Sequence, residues 1–346
     1  MIFTGHKITV AINIKSKNAM YKMKKSILIA PVCLAYFMMQ TAAAATHTCI
    51  NYQQDTITHN QPAVTLFAPG AIPTSATGNA APAFTRDGKT VYIGQSPKGG
   101  DISIMVSHLA GGKWPAPEMA DFSGKYRDLE PAFSPDGKYI IFASNRPHNV
   151  GDSLLDGNYN KSIQKGKGGN LWKVKITKKG AGVPERLPDV INANSSVFSP
   201  AVAGDGSIYF MRADSGKSFH IYRSQLTNGR FEKPVRVSFS LDKYGEYDPA
   251  VAPDESFIIY STGRPPAPPH TADLFIVFKE GNSWGDPIDL RSLLSDKVYG
   301  VEGRLSPDLK TLYFTNQRKA NGETDPDGSY TWMVDISGVL KAHGIK

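Results

Sequence analysis

The sequence predicts an all-β protein, a β-propeller of five recognisable four-stranded blades, from three observations. One hairpin motif occurs five times, its copies start at similar intervals, and each copy contains a continuously apolar strand. Propeller blades repeat about every 40 to 50 residues, each as a four-stranded sheet. A chain of 346 residues, of which 40% are hydrophobic and 20% charged, can bury such a core, which excludes a disordered tail and a disulfide-stapled mini-protein.

The first 45 residues have the features of a secretory signal peptide. Lysine is their only charged residue type, an apolar run of 14 residues follows over 26–39, and a tract of small residues ends at Ala45. This order is typical of export signals, and the run is short for a membrane span of about 20 residues, although a single-span anchor is the alternative. We expect cleavage near Ala45, a periplasmic or secreted protein and no membrane insertion afterwards. A later start codon would leave residues 1–19 untranslated.

Removal of the signal changes what the charge of the chain means. The full sequence has a net charge of +8 and a pI near 9.2, values that would suggest nucleic acid or an anionic membrane as a partner. Six lysines leave with the signal, and the net charge falls to +2. We therefore expect no nucleic-acid partner. Cys33 leaves as well and Cys49 remains alone, so no intrachain disulfide is expected, and the reactivity of Cys49 stays open.

The five copies of the motif define the blades. Their anchor residues lie 49, 69, 49 and 54 residues apart, at Pro82, Pro131, Pro200, Pro249 and Gly303. After each anchor a strand leads to a tight turn, which is Asp-Gly in the first three copies, where glycine takes a positive φ at little cost. The last two turns, Asp254-Glu255 and Asp308-Leu309, lack the glycine, and we expect a different turn type there. The 69-residue interval marks an insertion, and a six-bladed closure would need a degenerate blade within it.

The remaining strands complete each blade and close the ring. The strands after the turns are apolar throughout, as expected of strands buried between neighbouring blades. The fifth copy ends near residue 337 with only three strands, so we expect residues 63–67 to supply the fourth. The predicted organisation is a short N-terminal segment over 46–61, a single propeller domain over 62–340 and a tail over 341–346.

The second copy carries a resemblance to a known family. Its hairpin FSPDGKYIIF over 133–142, followed by SNRP over 144–147, resembles the prokaryotic WD-like (PD-type) repeat of TolB-like periplasmic β-propellers, and the resemblance covers roughly residues 62–337. It implies an exported propeller whose usual role is binding rather than catalysis. The partner expected on this basis is a protein, or a polar or saccharide ligand of the cell envelope, and we expect a monomer. TolB propellers have six blades, where we count five.

The sequence lacks the patterns typical of catalytic and metal sites. No G-x-S-x-G nucleophile elbow occurs, and Met211 stands where a phosphate loop ending at Lys217-Ser218 would need its first glycine. The seven histidines after the signal lie singly, without the spacing of a zinc site. We therefore expect no catalytic residue, no metal and no cofactor, while calcium at the acidic loop around Glu323 and Asp325 stays open.

Charged residues are predicted to converge on one rim of the ring. The strand at each anchor starts, and its return strand ends, at the same end of the blade. This places five carboxylates and three arginines on that rim: Asp128, Glu130, Arg146, Glu246, Asp248, Arg264, Glu302 and Arg318. They can pair with one another where blades meet, or some can stay unpaired and bind a polar ligand. The first and third copies lack the pattern, so the rim should be polarised.

The same rim carries a loop of 24 residues, Pro147 to Asn170, which we expect to be a flexible lid or a partner-binding loop. Together these features predict a non-catalytic binding or scaffold module. The alternative is a glycan-active hydrolase or lyase of the cell envelope that uses two rim carboxylates as acid and base. The sequence predicts neither the identity of the ligand nor the physiological process.

Overall fold

The structure is a computed structural model and describes most of the chain after the predicted signal. The described residues are 62–72, 77–80, 82–97, 100–149, 151–177, 179–214, 217–268, 271–317, 322–325 and 328–345. The predicted signal peptide, the segment 46–61 with Cys49, and Arg318 lie outside them. Within them, five antiparallel sheets of four or five strands follow one another along the chain, which confirms the all-β propeller of five blades.

The first two blades follow a short opening strand, β1 (Thr65–Leu66). The first blade consists of β2 (Thr77–Asn79), β3 (Ala83–Phe84), β4 (Thr90–Pro97), β5 (Ser103–His108) and β6 (Glu118–Met119). The second blade opens with β7 (Asp128–Phe133) and β8 (Tyr139–Ser144), is interrupted by the hairpin β9 (Gly157–Tyr159) and β10 (Ser162–Gln164), and continues with β11 (Asn170–Thr177), β12 (Gly180–Ala181) and β13 (Glu185–Arg186).

The last three blades repeat this order. The third consists of β14 (Val197–Val202), β15 (Ile208–Ala213), β16 (Phe219–Ser224) and β19 (Val235–Arg236), with the small hairpin β17 (Leu226–Thr227) and β18 (Arg230–Phe231) beside it. The fourth consists of β20 (Glu246–Val251), β21 (Phe257–Thr262), β22 (Asp273–Glu280), β23 (Ser283–Trp284) and β24 (Ile288–Asp289), and the helix α1 (Leu290–Leu293) follows it. The fifth consists of β25 (Val301–Leu305), β26 (Thr311–Asn316) and β27 (Tyr330–Asp335), followed by the helix α2 (Ser337–Ala342).

The N-terminal strand closes the ring, as the sequence predicts. β1 pairs antiparallel with β27, with Thr65 opposite Met333, and so becomes the fourth strand of the fifth blade. Next to it, Phe67 packs edge-on against Phe84 of the first blade and Tyr313 of the fifth, with ring centroids 5.6 and 5.2 Å away. The first and last blades are thus joined by both backbone pairing and aromatic packing.

Apolar strands buried on both faces hold the blades together. All six residues of β21 are buried, and Tyr260 at its centre packs with Tyr209 and Ile221 of the third blade in one cluster. This confirms the interpretation for β21, whereas in β26 of the fifth blade Tyr313 is only partly buried. In three blades the edge strand begins directly after the predicted proline, Pro117, Pro234 or Pro287. A proline there removes no ladder hydrogen bond inside the strand.

The hairpin turns keep one backbone geometry with or without glycine. Glu255 and Leu309 have φ angles of 57° and 61°, close to the 66° and 73° of Gly88 and Gly137 at the same position. The amide N–H of Leu309 donates to the carbonyl oxygen of Ser306 at 2.9 Å, as that of Gly137 does to Ser134 at 2.8 Å. The expectation of a different turn type in the last two blades is therefore wrong. The aspartate that holds the local backbone fixes the turn even where a side chain must adopt the left-handed conformation.

The 69-residue interval contains an ordered hairpin instead of a sixth blade. β9 pairs with β10, and Tyr159 packs against Phe198 and Phe219 of the third blade with ring centroids 5.9 and 5.1 Å away. Ser196 accepts a hydrogen bond from the amide of Asn158 at 2.9 Å. The expectation of a flexible loop is wrong, because these contacts attach it to the neighbouring blade, and the six-bladed alternative falls with it.

The C-terminal residues pack on the fourth blade. The ring of His343 stacks on Phe278, with centroids 4.0 Å apart, and the helix α2 extends across the domain boundary predicted at residue 340. None of the helices in the described residues has the length and apolar character needed to cross a membrane.

Candidate functional site at the propeller axis

The residue before the anchor has an unusual backbone conformation in four blades. These residues have φ angles between 46° and 57°, which non-glycine residues rarely adopt: Glu130, Ser199, Asp248 and Glu302. Each lies where the pairing of its strand with the return strand shifts register, which is the mark of a β-bulge. A bulge re-aims a side chain, and here it brings side chains of different blades together at the centre of the ring.

Ser199 connects this group, which we call the axial cluster (Glu130, Ser199, Asp248, Glu302 and Arg304). The amide N–H of Ser199 donates to Oε2 of Glu130 at 2.7 Å, and its Oγ accepts from Nη2 of Arg304 at 3.0 Å. The carboxylate of Asp248 accepts from the hydroxyl of Ser199 and from that of Ser261. Four blades therefore contribute to one hydrogen-bonded network.

Glu302 belongs to the same network through its own blade. Its Oε2 accepts from Oγ1 of Thr315 at 3.1 Å, and its amide N–H donates to Oγ of Ser261 in the fourth blade at 3.1 Å. The charge of Glu302 also reaches Glu130 in the second blade, whose pKa it raises. The three predicted rim acids that directly precede an anchor are thus brought together.

Arg304 and Ser199 are the two members of the axial cluster that the sequence interpretation missed. The residue after the anchor is alanine in the other four blades: Ala83, Ala132, Ala201 and Ala250. Only 6% of Arg304 is exposed; its Nη1 donates to the carbonyl oxygen of Gly303 at 2.8 Å, and its buried Nε has no hydrogen-bond partner among the described residues. The position after the anchor is alanine in four copies and arginine in the fifth, and this difference could have identified Arg304 from the sequence. Ser199 offered no such signal, because a serine in place of an acid does not stand out.

Burial and mutual repulsion hold one carboxyl of the axial cluster protonated. Burial first, and then the charges of Asp248 and Glu302, raise the pKa of Glu130 to about 8, although Arg304 opposes the shift. Burial also raises the pKa of Asp248, again opposed by Arg304. At neutral pH Glu130 is therefore mostly neutral, which reduces the negative charge around the arginine.

A cavity of about 520 Å³ runs along the axis beside this cluster. Its wall is built from the anchor residues and the alanines after them: Pro82, Pro131, Pro200, Pro249, Ala83, Ala132, Ala201 and Ala250. It extends to residues at the hairpin turns, including Asp136 and Leu309. Arg304 lines it, whereas Glu130 and Asp248 do not. The cavity is thus mostly apolar, has the charged residues Arg86 and Asp136 in its lining, and reaches the axial cluster at Arg304.

The other predicted rim residues that the structure describes, Asp128, Arg146, Glu246 and Arg264, are engaged with partners outside the axial cluster. Asp128 is fully buried and accepts from Nε and Nη2 of Arg146 at 3.2 and 2.9 Å, as the pairing interpretation predicted. Glu246 is also fully buried, but its partner is His220, with Nδ1 2.6 Å from Oε2. Arg264 donates to the carbonyl oxygen of Phe239 at 2.9 Å. The single predicted rim therefore separates into an axial cluster and peripheral residues.

Within the described residues, no group of three or more histidine, cysteine or acidic side chains is placed to hold a metal ion together.

Comparison with known proteins gives only distant structural similarities. No protein-family model and no curated protein matches the sequence. Among solved structures, the chain is similar to TolB from Acinetobacter baumannii, with 17% identity and a TM-score of 0.45. The match covers 74% of this chain and 54% of that one, so the chain spans about half of that protein's length. It is also similar to a putative TolB from Agrobacterium tumefaciens (15%, TM-score 0.36, coverage 74% and 90%) and to a glycoside hydrolase (10%, TM-score 0.49, coverage 79% and 91%). At identities of 10% to 17%, these similarities carry no information on ligand or activity.

Proposed function

We propose that this chain is an exported, non-catalytic binding module, a TolB-like propeller that receives a polar group of a protein or envelope saccharide in its axial cavity. The observation that carries the proposal is Arg304, a charged side chain in a wall that the other blades build from proline and alanine. Concave, mostly apolar sites with a few convergent polar groups are the usual form of ligand sites. The resemblance of the repeats to the TolB-like family supports a binding role, and the basic, apolar and small-residue order of residues 1–45 supports export. The exported part in this proposal is a monomeric propeller over 62–340.

The chemistry of the axial cluster favours a hydrogen-bond acceptor as the group that enters. Arg304 can only donate, and its Nε lacks a partner among the described residues. The nearby acids would repel a strongly anionic ligand, but Glu130 is largely neutral at pH 7. A carbonyl, a hydroxyl or a single carboxylate of the ligand therefore fits best.

The test compares capture of envelope ligands by the wild-type chain and by Arg304→Ala, which restores the residue of the other four blades. Immobilised protein is incubated with envelope extract and, separately, with defined envelope saccharides, and bound material is identified. We expect Arg304→Ala to lose the ligands that the wild type retains, because the guanidinium at the axial end of the cavity is gone. Arg230→Ala, an exposed arginine on β18, is the matched control. Equal capture by wild type and Arg304→Ala would reject the axial site.

A glycan-active hydrolase or lyase is the second candidate, and one observation favours it. A carboxyl held protonated near another acid is the arrangement that supplies the general acid in glycoside hydrolysis. Against it, Glu130 and Asp248 are only 7% and 6% exposed and do not line the cavity, so a glycosidic bond in the cavity does not meet them. Release of reducing ends from envelope polysaccharide by the wild type, lost in Glu130→Gln, would replace the binding proposal with this one.

A further inference from the structure

A second polar site lies at the opposite end of the blades from the hairpin turns. It is a groove of about 870 Å³ between the inserted hairpin β9–β10 of the second blade and the third blade. The amide N–H of Asn160 donates to the carbonyl oxygen of Lys217 at 3.3 Å, which fixes the hairpin beside the loop before β16. The groove therefore has walls from two distant parts of the chain and shares no lining residue with the axial cavity.

Two lysines without acidic partners face this groove. Lys161 comes from the turn of the hairpin and Lys217 from the loop of the third blade, and neither forms an ion pair within the described residues. Asn160 and Lys161 both have positive φ angles, 52° and 63°, as the two central residues of a tight hairpin turn do. Two like charges held at one groove repel each other, and an anion bound between them would offset this repulsion.

The carboxylate that lines the groove and the one that contacts His220 are both engaged within the protein. Asp242 lines the groove, but its carboxylate contacts the guanidinium of Arg236, which lowers its pKa. Glu246 is fully buried and accepts from the amide of Leu241 at 3.0 Å. The charge of Lys217 also lowers the pKa of Asp242, but within the described residues neither groove lysine forms an ion pair.

His220 adds a ring nitrogen to the same groove. Its Nδ1 lies 2.6 Å from Oε2 of Glu246 and 2.9 Å from Nη2 of Arg236. Both contacts are made through Nδ1, so Nε2 is the ring nitrogen left for a ligand. Asn158 and Ser218 supply further polar groups to the lining.

We propose that this groove binds a small phosphate monoester, with the phosphate between Lys161 and Lys217 and a hydroxyl-bearing body against His220, Asn158 and Ser218. Lysine binds phosphate as a point charge, and a dianion matches two of them. The volume exceeds what a bare phosphate needs, which leaves room for a body the size of a sugar. The groove shares no lining residue with the axial cavity, so this proposal does not depend on the proposed function of the axial cavity.

The test is isothermal titration of the full chain with glucose 6-phosphate and glycerol 3-phosphate, with glucose and inorganic phosphate as reference ligands. We expect at least one ester to bind more tightly than phosphate, and glucose not to bind. Lys161→Ser and Lys217→Ser should each weaken the binding about tenfold, equivalent to about 1.4 kcal/mol. Both side chains are exposed, so these variants should fold.

Two controls separate this site from the rest of the molecule. Lys89→Ser removes an exposed lysine at a hairpin turn, at the other end of the first blade, and should leave binding unchanged. Arg304→Ala should also bind the ester as the wild type does, even if it loses the axial ligand. Failure of both esters to bind, or binding that neither groove lysine affects, would overturn the proposal. Phosphate binding as tight as the esters would refute the role of the body.

Discussion

Replacement of Glu130 by glutamine should make the protein more stable at alkaline pH. The pKa of Glu130 is raised from 4.5 to about 8, so the folded protein retains a proton that the unfolded chain releases. Stability must then fall as the pH rises from about 4.5 to 8, and be constant above that range with respect to this group. At about 1.36 kcal/mol per pH unit, the loss is on the order of 5 kcal/mol. Glutamine keeps an acceptor for the Ser199 amide but has no proton to lose.

The assay is urea unfolding of wild type and Glu130→Gln at intervals from pH 5 to 9. We expect the free energy of unfolding of the wild type to decrease relative to the variant through this range, with a difference of at least about 2 kcal/mol gained by the variant at pH 9. Glu118→Gln, an exposed glutamate on β6, is the control and should follow the wild-type curve. Parallel curves for wild type and Glu130→Gln would refute the buried, protonated state of this carboxyl.

Three other substitutions test the structural account. Arg146→Met leaves the buried carboxylate of Asp128 without its partner and should reduce the free energy of unfolding by about 3 kcal/mol, measured by denaturant titration; a loss below about 1 kcal/mol would contradict the pairing. Phe67→Ala removes the ring that joins the first and last blades and should reduce the free energy of unfolding by about 3 to 5 kcal/mol in the same assay. An unchanged value would mean that the pairing of β1 alone closes the ring. Tyr159→Ala should release the inserted hairpin, so limited proteolysis should cut within 151–168 while thermal unfolding changes little; protection equal to the wild type would contradict its attachment by this ring.

The blades could be predicted from the sequence because the features that define them are local. A proline anchor, an Asp-Gly turn and an apolar strand each act over a few residues, so their fivefold recurrence indicates five similar sheets. The closing strand followed from counting strands in the fifth copy, and Thr65–Leu66 takes that place. The inserted hairpin could not be predicted in this way. It depends on the packing of Tyr159 against two rings of the next blade, and the sequence does not indicate that contact.

The site was predictable only in part. Glu130, Asp248 and Glu302 precede the anchors in a repeated pattern, and the structure brings these three together. The pattern could not distinguish them from Asp128 and Glu246, which lie two residues earlier, because a bulge separates the two groups and its position does not follow from strand alternation. The contact of Glu246 with His220 could not be predicted from the sequence either, since His220 comes from the preceding blade.

The backbone at the axis gives a physical reason to connect the bulges with function. A non-glycine residue in the left-handed region costs about 1 to 2 kcal/mol, and four blades bear this cost at the same position. Glycine would remove the cost, yet the chain has glutamate, serine, aspartate and glutamate there. Their side chains regain part of the energy through the bonds to Ser199, Ser261 and Thr315. Because glycine at these positions would close the ring with less strain and without buried acids, the stability of the propeller does not explain the polar axis, which supports the proposed binding role.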